Sequence, residues 1–115
     1  MKMYIAGKIT GDPNYRDKFE KVERTLVWLG YSVMNPACLS EGREFTWEDY
    51  MAITASMQQV CDATVLLPDW KDSRGARTEL KTAKSLGHKI YLFETDPEVR
   101  LVSFHSEDKG DGRQR

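Results

Sequence analysis

Short apolar runs alternate with longer stretches whose apolar residues fall three or four apart, and no other feature constrains the fold of this chain as tightly. "MYIAG", residues 3–7, reads as a buried strand stopped by a glycine. After a loop of turn residues, Tyr15, Phe19, Val22, Leu26 and Leu29 make one stripe of an amphipathic helix. That helix should begin near Pro13 or Asn14, with Asp12 or Asn14 as its cap, and stop at Gly30. "YSVMNP" is a second strand closed by Pro36. Thr46 looks like the cap of a second helix, with Asp49 three residues on in a near capping box and Tyr50, Thr54, Met57 and Cys61 on one face. "ATVLLP", residues 63–68, is continuously apolar, as expected of a strand buried on both sides. A third helix runs from about Arg74 to Leu86 with Ala76, Leu80, Ala83 and Gly87 on one face, and "KIYLF" is a fourth strand. Residues 99–104 read as a last short strand or helix, and residues 105–115 have so little to bury that disorder is expected.

Strand and helix alternate at least three times with short connections, which specifies a mainly parallel sheet between helices. The expected architecture is a Rossmann-like or flavodoxin-like α/β sandwich of three layers, with four or five parallel strands in one domain over residues 1–104. A length of 115 residues supports one real core but not two. In such sheets a ligand binds beyond the carboxyl ends of the strands, where the strand order reverses. This rule selects three loops: residues 7–14, 36–47 and 68–75.

Charge and composition narrow the function. A net charge of -1, without basic blocks, argues against a nucleic-acid polymer held by electrostatics but leaves single nucleotides open. The apolar runs are far too short to span a bilayer. The start "MKMYIAG" lacks the long apolar region and cleavage site of a signal peptide, so a cytoplasmic protein is expected. Cys38 and Cys61 are then expected to be buried free thiols. Neither His88 nor His105 has a partner that suggests a catalytic triad or a metal site.

The third loop, "DSRGARTEL", carries the most chemistry. Ser73 and Gly75 stand at a helix start, where free backbone N–H groups and the helix dipole attract an anion. Its plainer reading is an ordinary N-cap, with Ser73 capping, Asp72 complementing the dipole, and Arg74 and Arg77 in water. Glu79 borders the apolar stripe of the same helix instead of facing away from it. A carboxylate there is partly desolvated and suited to act as nucleophile or base, whereas the plain alternative is a salt-bridged surface glutamate. In the first loop, Gly7, Lys8 and Thr10 do not form a P-loop, although Lys8 could meet a phosphate. Trp47, Tyr50 and Trp70 are candidate neighbours for a stacked base, although each taken singly reads more readily as core or loop packing.

The segments "MYIAGKITGDPNYRDKF", "NPA", "WEDYM" and "CDATVLLPDWKDSRGARTEL..AKSLGHKI" together resemble the DUF4406 group, over nearly all of residues 1–95. That group is similar to the nucleoside 2-deoxyribosyltransferase superfamily, which includes deoxynucleoside monophosphate N-glycosidases. The resemblance implies a Rossmann-like domain that forms homodimers or larger assemblies and cleaves the bond between a nucleobase and C1′ of a (deoxy)ribose. It implies a small-molecule nucleoside or nucleotide as partner and no metal or organic cofactor. Carried over by motif, Glu79 is the nucleophile that forms a glycosyl-enzyme intermediate. Ser73 binds the 5′-phosphate with the Gly75 backbone, and Tyr4 lies near the sugar. Gly7 and Lys8 belong to the same expected substrate site. The family aspartate that assists the leaving base falls on Thr54, which has no carboxyl group. Protonation of the base would then come from Asp49, Asp72 or water, or be absent. A non-catalytic module that binds or senses a nucleotide is the alternative that this substitution favours.

Overall fold

A computed structural model describes residues 1–104. The expected disorder of residues 105–115, and His105 with it, lies outside the described residues. The elements run β1 (Lys2–Ala6), α1 (Tyr15–Trp28), β2 (Ser32–Met34), α2 (Trp47–Gln59), β3 (Ala63–Leu66), α3 (Arg74–Leu86), β4 (Lys89–Glu94) and β5 (Arg100–Ser103). Short 3-10 turns occupy Pro36–Cys38 and Trp70–Asp72. The five strands form one sheet in the order β2-β1-β3-β4-β5. Pairings β1–β2, β1–β3 and β3–β4 are parallel, with Tyr4 opposite Thr64 and Ile5 opposite Val65 across the centre.

The last strand departs from the parallel expectation. β5 pairs with β4 antiparallel, Leu92 opposite Val102 and Glu94 opposite Arg100. Only residues 95–99 connect the two strands, and a parallel return needs a crossover of about a dozen residues or more. An ion pair between Arg100 and Glu94 at 2.9 Å fastens this edge.

Alternation along the strands sends side chains to two unlike faces. Met3, Ile5, Ala63, Val65 and Leu67 meet Phe19, Val22 and Leu26 of α1. Tyr4, Ala6 and Leu66 face the other way, toward Ala76 and Leu80 of α3. Every residue of β3 is fully buried, which accounts for its unbroken apolar run. Leu29, expected on the α1 stripe, is instead the exposed residue at the helix end, because the helix closes one position before it and Gly30 turns the chain at φ 100°.

Two further expectations change. Cys61 is buried, but Cys38 is exposed: the 3-10 turn buries Pro36 and Ala37 and leaves the third residue outward. On α2 the buried residues are Thr54 and Gln58, while Tyr50 and Met57 are only half-buried. α3 begins and ends where its caps place it. The Ser73 side chain accepts from Ala76 N at 3.0 Å, and Gly87 closes the helix in the left-handed region.

Candidate functional site

A cleft of about 1450 Å³ opens beyond the carboxyl ends of β1 and β3, where the strand order reverses. This exceeds the roughly 300–1,000 Å³ of common small-molecule pockets. All three expected loops wall it. The first contributes Gly7, Thr10 and Asp12, the second Glu41, Arg43 and Trp47, and the third Asp72, Ser73, Arg74 and Gly75. Tyr50, Met51 and Thr54 enter from α2, and Glu79 from α3.

Glu79 is a buried carboxyl, only 7% exposed, although it lines the cleft. Tyr4, fully buried on β1, donates its hydroxyl to Glu79 Oε2 at 2.5 Å. The Thr54 hydroxyl donates to the Met51 carbonyl at 3.3 Å and stands near enough to the Glu79 carboxyl and the Tyr4 phenol to lower both. Burial pushes the Glu79 carboxyl up to about 7, against the Tyr4 and Thr54 hydroxyls, which pull it down. Burial, and then the neighbouring Glu79 charge, hold the Tyr4 phenol well above its ordinary range, so it remains a donor. A carboxyl balanced near neutrality exchanges protons readily and is ionised at mildly alkaline pH. Position 54, where the resemblance expects an aspartate, therefore stands near Glu79 but places a neutral hydroxyl there.

Ser73 serves as the plain cap and also lines the cleft, because accepting from Ala76 N leaves its hydroxyl hydrogen to donate. Glu79 follows six residues later, about 9 Å along the helix axis. Gly75 approaches Met51 and Trp47, and the Arg74 guanidinium lies 3.8 Å over the Trp47 ring. Asp72 is exposed at the rim. Gly7 is required sterically, since a Cβ there would come within 2.7 Å of Leu67.

The structure does not bring every candidate to the cleft. Trp70 packs edge-on against Phe104 at 5.4 Å, beside the α3 core, so it is no neighbour for a base. Lys8 contributes backbone instead of charge: its N–H donates to Asp69 Oδ1 and its carbonyl accepts from Lys18. Asp49 is occupied by the capping box, accepting from the Thr46 N–H while Thr46 accepts from Asp49 N. Of the acids proposed to protonate a leaving base, Asp72 alone lines the cleft. Tyr50 lines it too, but its hydroxyl accepts from Gly42 N and donates to Ser40 O, fixing the second loop.

Lys18 was not legible as a site residue. Its ammonium bonds Asp12 and Asp69, each at 2.5 Å, and the Lys8 carbonyl, tying the first loop to the third. Nothing in the sequence links positions 12, 18 and 69 except the fold. Among the described residues, no group of three or more His, Cys, Asp or Glu side chains could hold a metal ion. No helix among them is long and apolar enough to cross a membrane.

Fold and cleft together define a flavodoxin-ordered α/β protein with a buried carboxyl at the switch point of its sheet. Residues 1–92 match the model of the domain of unknown function DUF4406, and the chain belongs to that family. The comparison with curated proteins gives no match. Among solved structures, the chain is similar to a 2-deoxyribosyltransferase from Bacillus psychrosaccharolyticus, with a TM-score of 0.64 and 23% identity over 81% of this chain and 72% of that one. It is also similar to the CMP N-glycosidase BcmB of Clostridium botulinum, with a TM-score of 0.58 and 18% identity over 80% and 70% of the two chains. A 2-desoxiribosyltransferase from Leishmania mexicana aligns with a TM-score of 0.62 and 21% identity over 83% of this chain and 65% of that one. At these identities the likeness is one of fold.

Proposed function

We propose that this protein cleaves or transfers the N-glycosidic bond of a (deoxy)nucleoside or its 5′-monophosphate, with Glu79 as nucleophile. The observation that carries the reading is a buried, tyrosine-bound carboxyl lining a cleft at the switch point, with a capping serine six residues before it on the same helix. Deprotonated Glu79 attacks C1′ as the C1′–N bond breaks, and the bonding pair leaves on the base nitrogen. The base then takes a proton from water or Asp72. Water, or the nitrogen of a second base, displaces the Glu79 carboxylate from C1′ and completes hydrolysis or transfer. The Tyr4 hydroxyl holds the carboxylate throughout, and the free hydrogen of Ser73 with the N–H groups of the first α3 turn receives the phosphate or O5′. A homodimer or larger assembly belongs to the same proposal.

The test is a mass-spectrometric screen of the purified protein against nucleosides and 5′-monophosphates, for free base and for a glycosyl adduct on Glu79. Glu79→Ala is expected to lower base release by roughly 10³-fold or more while the fold persists. Turnover at the wild-type rate in that variant excludes the mechanism. Thr54 supports a second reading, a non-catalytic nucleotide-binding module, because it places a neutral hydroxyl, and no carboxyl group, at the position beside Glu79 that would protonate a leaving base. Calorimetric binding of a nucleotide without base release selects it.

A further inference from the structure

α2 is inverted relative to a helix built for packing. Ile53 is 43% exposed, while the residues the helix buries are the polar Thr54 and Gln58, one turn apart. Both bear on Glu79. Thr54 stands near the carboxyl and lowers it, and Gln58 Nε2 donates to the Glu79 backbone carbonyl at 2.8 Å. The second hydrogen of the same amide goes to Thr64 Oγ1 at 3.0 Å, and Thr64 is in turn bonded to His88 Nδ1 at 2.9 Å. The amide orientation follows from its partners, since the reverse would press its oxygen against the Glu79 carbonyl oxygen. Gln58 Oε1, completely buried, has no protein partner among the described residues.

These contacts do not describe a stabilising core residue. The Glu79 carbonyl lies within the hydrogen-bond ladder of α3, and Thr64 keeps His88, so neither acceptor depends on Gln58. A buried carboxamide oxygen without a protein partner is a cost that an apolar side chain of the same length avoids. What the amide does supply is a fixed link between the centre of the sheet and the helical residue whose carboxyl accepts from Tyr4.

We propose that Gln58 is a positioning residue: its amide holds Glu79 from α2 at the backbone carbonyl, so that the carboxyl meets the cleft in a single orientation. The inference rests on the role proposed above for Glu79. A positioning group of this kind acts on turnover far more than on stability, because small displacements of a reacting group cost rate steeply.

The experiment compares wild type, Gln58→Met and Thr64→Val by three measurements: thermal unfolding, base-release kinetics, and NMR titration of the Glu79 side-chain carboxyl carbon. Gln58→Met is expected to keep its Tm within about 4 °C of wild type. Its kcat should fall about tenfold with KM changed less than threefold. Its Glu79 midpoint should rise by at least about half a unit as the Tyr4 hydrogen bond loses alignment. Thr64→Val should show the same signs at smaller size, and it carries the test if Gln58→Met does not fold. An unchanged midpoint in the folded variants overturns the proposal, as does a large loss of Tm with a wild-type midpoint. Absence of base release in wild type removes the functional reading alone, because the titration still decides the positioning.

Discussion

The two faces of the sheet are built from the same strands and differ in kind. On the α1 face, Met3, Ile5, Val65 and Leu67 pack against Phe19, Val22 and Leu26, and none of the buried polar side chains among the described residues lies in this cluster. The five buried polar residues among those described, Thr54, Gln58, Thr64, Ser73 and Glu79, lie on α2, on α3 and its cap, or on the β3 residue facing them. Consecutive strand residues supply both faces: Tyr4 between Met3 and Ile5, Thr64 between Ala63 and Val65. One face therefore supplies apolar burial, and the other trades some of that burial for a held carboxyl. The lesson is that damage to the first should appear as lost stability, and changes to the second as altered pH dependence.

The largest stability effect separates the faces most sharply. Phe19→Ala should destabilise by about 4 kcal/mol, from lost burial and the cavity left behind, with an unaltered pH profile of unfolding. A urea titration at several pH values reads both quantities. An effect well below 1 kcal/mol would mean that the dry face is not the main source of stability.

Glu79→Gln should do the reverse and stabilise the protein at alkaline pH. The folded carboxyl titrates at about 7 against an ordinary 4.5, so the folded state holds its proton more tightly than the unfolded chain. The resulting stability is complete below about 4.5 and is lost as pH rises to about 7, a cost of about 3 kcal/mol in wild type above that range. Glutamine does not titrate, so the difference between variant and wild type should widen by about that amount from pH 4.5 to pH 8. A gap constant with pH contradicts the burial of this carboxyl.

Thr54→Val should be the mildest change, costing on the order of 1 kcal/mol for the lost hydrogen bond. Because the Thr54 hydroxyl pulls the Glu79 carboxyl down, its removal should move the NMR midpoint of Glu79 upward. A downward shift would show that Thr54 does not lower it.

Legibility follows the same division. The stripe of α1 and the apolar run of β3 were readable because burial imposes a period that survives in one dimension. The bounds of α3 were readable because Ser73 and Gly87 are caps whose chemistry is local. Glu79 could be placed at the edge of the α3 stripe from helical spacing alone. Gln58 and Thr64 could not be singled out: a glutamine near a helix end and a threonine in an apolar run look like ordinary choices until the fold sets them 3.0 Å apart. Trp70 and Asp49 sit in or beside cleft loops by sequence, yet a loop position does not say where a side chain points. One packs on Phe104 and the other closes a capping box.

By itself, the sequence determined the α/β class, the strand and helix segments over most of the chain, the three loops that meet at the switch point and the helix that carries Glu79. Each of these follows from interactions between residues near one another along the chain. Tertiary structure alone decided that β5 turns back antiparallel, that Lys18 ties two loops, and that Tyr4, Thr54 and Gln58 converge on Glu79. The contacts on Glu79 and the Lys18–Asp69 pair join residues 21 to 75 positions apart, and hydrogen bonding at such separations leaves no periodic trace in the chain. For the same reason the carboxyl of Glu79 is held near neutrality by its surroundings in the folded protein and not by its neighbours in the sequence.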